Sequence, residues 1–368
     1  MLDVVVVGAG PAGTHVSDNL SSIGYRTLII DLKESLGIPN HCSGLVDERV
    51  VKIVGDDLVT DKLYLADVTT PAGNFTLKSD KMFIVDRVAL DRKLGELAEA
   101  NGSDLRLRTR FIGLSKENKT LKVTIKGASG FETIETKYLI GADGPSSMIR
   151  RLLGIKSPNL LQSVQFDVEG RGDRVFLHMD RKITPDFFSW EIPNNEETEI
   201  GASGRGAISA VNHLSKNKKV IRKRGGLVPQ GPTRLGEESI FLIGDAAGLN
   251  KATTGGGLYA ALSSGDSLTS AISMDGNILQ DYNRTWKASF GNEILRDYSI
   301  RKIVDKFEKY YDLWVPFVKA NINGINSVGD VDYPSRAFLY LLSSGILRVP
   351  VLLKYLSSTR DQIHSCNI

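Results

Sequence analysis

The sequence predicts an α/β protein that combines a Rossmann-like dinucleotide-binding domain with a mixed-sheet second domain and a helical C-terminal region. Three observations support this fold class. Residues 3–31 read as a strand, a glycine-rich turn, a helix and a second strand, and two more apolar strands run into acidic-glycine pairs within 138–154 and 239–262. The chain of 368 residues is long enough for about two domains.

The first predicted element is the β-branched run from Asp3 to Val7, which is typical of a strand buried on both faces of a parallel sheet. Gly8, Gly10 and Gly13 follow it at G-x-G-x-x-G spacing. Glycines at this spacing permit a tight turn, close approach of a pyrophosphate to the backbone, and close packing of a helix on a strand. They therefore predict a dinucleotide phosphate site.

A helix and a second strand complete this βαβ unit. The helix begins near Ala12, and its amino-terminal N–H groups and positive dipole end would face the phosphates. The second strand ends at Asp31, where a carboxylate can accept a hydrogen bond from an adenosine ribose hydroxyl. Sites for NAD and for FAD both begin in this way, so the unit alone leaves the choice between them open.

The two later motifs decide between these dinucleotides. One apolar strand runs into Asp143 and Gly144, and another runs into Gly244 and Asp245, after which comes the glycine cluster Gly255, Gly256 and Gly257. Small residues let the backbone lie against a flat ring or a phosphate, and Asp245 can accept a hydrogen bond from a ribityl hydroxyl. An NAD domain does not need these elements, whereas a flavin extended across the sheet does.

Composition excludes several other classes. The formal charge of +3 and the pI of about 8.6 are too mild to indicate nucleic-acid binding, and Cys42 and Cys366 are too few for a secreted disulfide scaffold. No signal peptide precedes the first strand, so we expect a cytoplasmic protein. The apolar stretch 337–356 is too interrupted to span a membrane. It predicts two short helices that form a buried hairpin, the wall of a site for an apolar ligand, or a surface that rests on lipid.

The three motifs together resemble those of the glutathione-reductase-like flavoproteins of the para-hydroxybenzoate hydroxylase type. Within that superfamily the chain most resembles the geranylgeranyl reductase family, whose members saturate double bonds in polyprenyl chains. The matching segments over about residues 1–300 are IPNHCSG (38–44), FIVDRVALDRKL (83–94), PDFFSWEIP (185–193) and GGLVPQG (225–231). The resemblance implies FAD as the cofactor. Since no second G-x-G-x-x-G is present, the electron donor, NAD(P)H or a ferredoxin-like protein, is expected to bind transiently.

The resemblance also implies which residues contact FAD. In chain order they are Gly8, Gly10, Ala12, Gly13, Asp31, Cys42, Ser43, Gly44, Arg87, Phe111, Asp245, Gly255, Gly256, Gly257 and Leu258. Arg87 is expected to hold an anionic part of FAD, or else to be a surface ion-pair partner of Asp86 or Asp91. Phe111, at the end of the predicted strand LRLRTRF (105–111), matches a backbone contact near adenine. The N–H groups of Gly257 and Leu258, at a helix start, would stabilise negative charge on the reduced ring.

Cys42 has a structural and a catalytic interpretation. It is either a small buried hydrophobe in a loop that contacts FAD only through its backbone, or a proton donor to the substrate. An isolated alkene has no carbonyl to absorb hydride, so one carbon must take a proton while the other takes hydride from flavin N5. A thiol in apolar surroundings stays protonated and can supply that proton. His41 is expected to point the other way, which disfavours a Cys–His dyad.

Other segments bear on substrate and partners. Phe188, Trp190 and Ile192 alternate with polar residues as in a strand with one apolar face, which is either a substrate cavity wall or plain core. Phe188 and Ile192 stand where the family has Tyr and Phe. The basic run 216–224 is a solvated helix face or loop, or attracts lipid phosphates or an acidic electron carrier. The remaining histidines lack metal-site spacing.

The predicted FAD domain is discontinuous and comprises residues 1–60, 83–156 and 225–275; a substrate sheet comprises 61–82 and 157–224, and a helical region 276–368. The resemblance implies a reductase that saturates C=C bonds of geranylgeranyl chains, of archaeal-type ether lipids or their precursors. The lipid-facing interpretations of the apolar stretch 337–356 and the basic run 216–224 predict peripheral contact at the inner membrane face. A chlorophyll or quinone side chain is another substrate. Two alternatives stay open. One is a flavin monooxygenase or halogenase, since FSWEIP is one residue from the halogenase pattern W-x-W-x-I-P, and the other is a flavin-bearing lipid-binding or electron-transfer subunit.

Overall fold

The computed structural model describes residues 1–118, 120–274, 276–307 and 309–345. Cys366, His364 and the second half of the apolar stretch 337–356 lie outside the described residues. The chain divides into two compact units. The first consists of Met1–Thr60, Ile84–Leu161 and Gly226–Tyr298; the second consists of Asp61–Phe83, Gln162–Gly225 and the described residues from Ser299 onward. The expected helical region 276–368 is therefore divided between the two units at Tyr298.

Strands and short helices follow one another along the chain. The strands are β1 Leu2–Val7, β2 Thr27–Ile30, β3 Leu45–Val46, β4 Val59–Thr70, β5 Gly73–Val85, β6 Asp104–Arg106, β7 Arg110–Glu117, β8 Thr120–Gly127, β9 Gly130–Gly141, β10 Asn159–Glu169, β11 Val175–His178, β12 Ser189–Asn194, β13 Glu197–Ser203, β14 Val220–Gln230, β15 Gly236–Glu237 and β16 Ile240–Leu242. The α-helices are α1 Pro11–Ser22, α2 Glu48–Val54, α3 Arg87–Ala100, α4 Met148–Leu152, α5 Ala207–Leu214, α6 Leu258–Ile272, α7 Ile278–Trp286, α8 Asn292–Phe307, α9 Tyr311–Ala320, α10 Ile322–Val328 and α11 Pro334–Ser343. Two 3₁₀ turns cover Asp56–Leu58 and Gly244–Ala247, and a π-helical turn, Lys287–Gly291, joins α7 to α8.

The first unit is built on a parallel sheet in the order β6-β2-β1-β9-β16. Val5 of β1 pairs with Leu28 of β2 on one side and with Leu139 of β9 on the other, and all three side chains are fully buried. The uninterrupted apolar run in β1 is what a central strand covered on both faces requires. This unit therefore confirms the predicted dinucleotide-binding fold.

Two glycines explain the tight turn between β1 and α1. A Cβ atom on Gly13 would lie 1.9 Å from the Gly8 carbonyl oxygen, and one on Gly8 would lie 2.3 Å from that of Ala142. Gly8 also has a φ of +109°, which disfavours L side chains. Gly10 precedes the helix and Pro11 occupies its first position, where a missing N–H costs no hydrogen bond.

The second unit contains a mixed sheet in the order β14-β10-β13-β12-β11-β4-β5. β10, β13, β12 and β11 pair in antiparallel fashion, whereas β11 and β4 are parallel. One face of this sheet packs on α5 through an apolar core. That core consists of Phe166, Val168, Ile200, Ala202, Ala207, Ala210 and Val211.

The opposite face of this sheet follows from the strand alternation and register. Ser163, Gln165 and Asp167 of β10 pair with Ser203, Gly201 and Glu199 of β13, and β12 adds Trp190 and Ile192 opposite Gly201 and Glu199. We call the surface formed by these eight residues the Trp190 face.

Two local predictions are wrong. The stretch 105–111 is not one strand, because β6 ends at Arg106 and Arg108 adopts a φ of +50° before β7 begins. The basic run 216–224 is not a helix face or a loop throughout, because its second half belongs to β14. Four of the six basic side chains in this run are paired with acids. The pairs are Lys218 with Glu191, Lys219 with Glu169, Arg222 with Glu197, and Arg224 with Glu199.

Within the described ranges, the helices are all too short or too polar to cross a membrane. The same part of the chain contains no group of His, Cys, Asp and Glu side chains that could hold a metal ion.

Candidate functional site

Asp31 lies at the mouth of the glycine-rich loop in the first unit. Its Oδ2 accepts a hydrogen bond from the Ala9 N–H at 2.7 Å, and its Oδ1 accepts one from the Lys33 N–H at 2.8 Å. These bonds fix the carboxylate, and its remaining lone pairs can accept a ribose hydroxyl. The Thr109 N–H donates to the Asp31 carbonyl at 2.8 Å, which brings the start of β7, with the buried Phe111, beside Asp31.

The late motif forms a second part of the same cradle. After β16 the chain makes the 3₁₀ turn Gly244–Ala247, and α6 then begins at Leu258 with Gly257 as its N-cap. No side chain caps this helix start, so its N–H groups can face an anionic ligand. A Cβ on Gly257 would lie 3.3 Å from Asp245 Oδ1, and one on Gly244 would lie 3.0 Å from the Ala12 Cβ. The late motif therefore lies against the glycine-rich loop.

The Asp245 carboxylate is placed to accept a hydrogen bond from a hydroxyl group of a bound cofactor. Among the described residues, none donates a hydrogen bond to its carboxylate. Removal from water raises the pKa of Asp245 to about 6, although the positive charge of Arg87 opposes this rise. A ribityl hydroxyl would supply the donor that the carboxylate lacks, so the residue fits FAD.

Arg87 is buried in an ion pair at the start of α3. Its Nη2 donates to Asp91 Oδ1 at 2.6 Å, and the two side chains are only 9% and 8% exposed. The pair with Asp91 is thus present but is not a surface pair. Arg87 Nε is buried without an acceptor, and the side chain lies within electrostatic range of Cys42 and Asp245. This arrangement leaves one donor for an anionic group of FAD.

The Cys42 loop approaches the same cluster. The Cys42 N–H donates to Asn40 Oδ1 at 2.9 Å, and the Val85 N–H at the end of β5 donates to the Gly44 carbonyl at 3.0 Å. Cys42 is half-buried while His41 is exposed. The first unit therefore brings Cys42, Arg87 and Asp245 together, although they are far apart in sequence.

The middle D-G motif has a structural role that sequence analysis missed. Asp143 Oδ2 accepts hydrogen bonds from the N–H groups of Met148 and Ile149 at 2.6 and 3.2 Å and so holds the start of α4. Arg150, which is 1% exposed, donates to the Ala246 carbonyl at 2.8 Å. The motif therefore links the middle and late parts of the cradle, and the arginine after D-G is the signal for it.

We predict that Asp245→Asn stabilises the FAD-free protein and weakens FAD binding. Because the pKa of Asp245 is raised from 3.8 to about 6, the folded protein holds this proton more tightly than the unfolded chain does. The free energy of unfolding therefore falls as the pH rises through this window, and asparagine removes the loss. Urea unfolding should show the stabilisation at pH 8 but not at pH 4. FAD titration should show about tenfold weaker binding, whereas equal affinities would exclude a ribityl contact.

Trp190 of the second unit is held in one orientation. Its indole Nε1–H donates to Glu199 Oε1 at 2.8 Å, and a Cβ on Gly201 would lie 2.3 Å from the indole ring. The Phe188 ring packs edge-on with its centroid 5.9 Å from that of Trp190. Trp190 and Ile192 are 8% and 6% exposed, so the predicted apolar residues are largely buried.

A buried ionic cluster lies beside Trp190. Arg224 Nη2 donates to Glu199 Oε2 at 2.7 Å and also bonds Asp167, and all three side chains are under 10% exposed. Burial raises the pKa of Glu199, while Arg224 and Trp190 oppose the rise. This cluster was not predicted from the sequence. The period-two alternation of polar and apolar residues in β10 would have indicated it.

Comparisons with known proteins identify a family model and similar sequences. Residues 1–171 match the family model of the FAD binding domain. The chain is 28% identical over 338 residues to digeranylgeranylglycerophospholipid reductase 1 of Methanococcoides burtonii, with 82% of this chain and 83% of the relative covered.

Two solved structures share the fold. One is described as geranylgeranyl bacteriochlorophyll reductase-like, from Thermoplasma acidophilum, with a TM-score of 0.83, 19% identity and coverage of 97% of this chain and 98% of the other. The other is a p-nitrophenol 4-monooxygenase of Pseudomonas putida, with a TM-score of 0.70, 13% identity and coverage of 94% and 98%.

Proposed function

We propose that this protein, an FAD-dependent oxidoreductase with the fold of the para-hydroxybenzoate hydroxylase superfamily, saturates carbon–carbon double bonds in geranylgeranyl chains of ether lipids or their precursors. The similarity to digeranylgeranylglycerophospholipid reductases over most of the chain confirms the resemblance to the geranylgeranyl reductase family. The observation that carries the proposal is that Cys42 lies within electrostatic range of Arg87 in the unit that holds the FAD cradle. A proton donor near the flavin is what alkene reduction requires.

FAD, when bound, supplies hydride to the alkene. The residues of the chain would bind the cofactor and supply the proton. Asp31, Asp245 and Arg87 would hold the cofactor through a ribose hydroxyl, a ribityl hydroxyl and an anionic group respectively. Gly257 and Leu258 would direct N–H groups at the ring edge, where the positive end of the α6 dipole favours negative charge.

Cys42 would donate the proton that completes saturation. As its thiol gives up the proton to one alkene carbon, a negative charge remains on Sγ. Arg87 lies within electrostatic range and stabilises that charge, although its buried partner Asp91 offsets part of the effect. The thiol would then recover a proton from solvent, because Cys42 is only half-buried.

We further propose that the protein takes its lipid from a membrane surface without inserting a helix. Ile183 and Ile208 of the second unit are 48% and 54% exposed, and a Cβ on the intervening Gly206 would lie 2.1 Å from the Ile183 carbonyl. The exposed Lys182 and Arg205 flank them. Apolar side chains rimmed by basic ones suit an anionic lipid surface.

The electron donor is proposed to be NAD(P)H or a ferredoxin-like protein that binds transiently.

The test is a single turnover without oxygen. The purified protein is reduced with dithionite and mixed anaerobically with a geranylgeranyl-bearing ether lipid. We expect the flavin to reoxidise in step with a product heavier by two hydrogens per bond reduced. Lipid that binds without a saturated product would indicate the binding or electron-transfer subunit.

Flavin-dependent oxygenation is the second candidate, because the fold is shared with a p-nitrophenol monooxygenase. It predicts that the lipid does not reoxidise the reduced flavin, whereas air reoxidises it rapidly. Oxygen consumption coupled to NAD(P)H would then replace the reductase proposal.

A further inference from the structure

Three polar side chains on the Trp190 face are buried without hydrogen-bond partners. They are Ser163, Gln165 and Ser203, which are 6%, 5% and 0% exposed. The atoms concerned are the two serine Oγ atoms and Gln165 Oε1. Since nearly all buried polar groups in proteins are hydrogen-bonded, three unpaired ones on one surface indicate a missing ligand or bound water.

The register brings these side chains together beside Trp190. Ser163 of β10 lies directly opposite Ser203 of β13, and Gln165 lies opposite Gly201. The indole ring of Trp190 covers Gly201. The polar atoms therefore border the aromatic surface formed by Trp190 and Phe188.

The charges on this face determine which ligand it suits. Its guanidinium, Arg224, already bonds both Asp167 and Glu199, and burial of these carboxylates makes the cluster unfavourable for an anion nearby. A phosphate at Ser163, Gln165 and Ser203 would therefore lie near two buried carboxylates that share one buried guanidinium. A hydroxyl group both donates and accepts hydrogen bonds, so it suits two serines and either orientation of the glutamine amide.

We propose that Ser163, Gln165 and Ser203 form a polar subsite for an uncharged hydroxyl group at the end of the isoprenoid substrate. The aromatic surface of Trp190 and Phe188 would take the adjoining hydrocarbon. This inference rests on the proposed function and narrows it, because it selects an isoprenoid alcohol or hydroxyl-bearing glycerol ether over a phosphorylated lipid.

The first experiment measures equilibrium binding to the oxidised FAD-loaded protein by isothermal titration calorimetry. The probes are geranylgeraniol, geranylgeranyl monophosphate and a C20 polyene hydrocarbon without oxygen. We expect the alcohol to bind at least about tenfold more tightly than the other two. Tighter binding of the monophosphate, or equal binding of all three, overturns the subsite.

The second experiment uses Gln165→Leu and Ser203→Ala, with Ser189→Ala as the matched control. Ser189 is buried in the same sheet but belongs to the opposite face. The two variants should each bind geranylgeraniol about fivefold to tenfold more weakly and the hydrocarbon unchanged, and the control should match the wild type. Ser163→Ala gives the same test if one of the others fails to fold.

Two outcomes would contradict the inference in different ways. If the variants bind the alcohol normally and melt at higher temperature, the three groups only hold water. If the wild type binds none of the probes, the proposed function itself fails, and the subsite fails with it.

Discussion

Arg87→Met is expected to lower the free energy of unfolding by about 3–5 kcal/mol and to abolish FAD retention. Arg87 and Asp91 are 9% and 8% exposed, so the change leaves a carboxylate buried without its counter-ion. The lost guanidinium also removes Nε, the buried donor that has no acceptor within the described protein. Urea unfolding and the flavin absorbance of the purified protein measure the two effects.

The pH dependence of the free energy of unfolding shows whether the unpaired Asp91 carboxylate causes the loss of stability in this variant. Burial already raises the pKa of Asp91, and Arg87 opposes the rise. Without Arg87 the pKa of Asp91 rises further, so the folded variant binds a proton that the unfolded chain has released. The loss of stability should therefore be small at pH 4 and should grow as the pH rises toward the folded-state pKa.

Two further variants act as controls. Lys93→Met breaks an exposed ion pair between Lys93, on the same helix as Arg87, and Asp57 of the 3₁₀ turn Asp56–Leu58. It should change neither stability nor FAD content noticeably. Arg87→Met combined with Asp91→Leu removes both buried charges and should recover much of the stability without FAD. If Arg87→Met keeps its FAD while losing stability, the ion pair is purely structural.

The glycine-rich βαβ unit could be predicted from sequence because its causes are local. The apolar run of β1, the close approach of Gly13 to Gly8 and the start of α1 at Pro11 each depend on neighbouring residues. The role of Arg87 could not be resolved in this way. Only the fold decides whether its partner is Asp86, Asp91 or a cofactor, and whether that partner is buried.

The mixed sheet shows why other features were missed. Residues 220–224 form a strand despite their charge, since acids on β10 and β13 of the same sheet pair with Arg222 and Arg224. The Trp190 face depends on the register between β10 and β13, which brings Glu199 opposite Asp167. Each strand alone shows a period-two pattern, but the pattern does not say which other strand it will face.

Cys42→Ala is expected to lower kcat by about 10²–10⁴-fold while the FAD content stays unchanged. The variant removes the proton donor but keeps the loop, whose anchor is the hydrogen bond from the Val85 N–H to the Gly44 carbonyl. Flavin reoxidation by lipid in an anaerobic single turnover measures the rate. His41→Ala, at the exposed neighbouring position, should keep the wild-type rate.

Cys42→Ser separates a proton donor from a space-filling residue. A hydroxyl fits the same space and can hydrogen-bond, but it is a much weaker acid than a thiol. If Cys42 donates the proton, the serine variant should remain slow and should show a larger solvent deuterium isotope effect than the wild type. If the loop acts only through its backbone, serine and alanine should both retain the wild-type rate. In the first case Arg87, which lies within electrostatic range of both Cys42 and Asp245, would stabilise the charge left on Sγ.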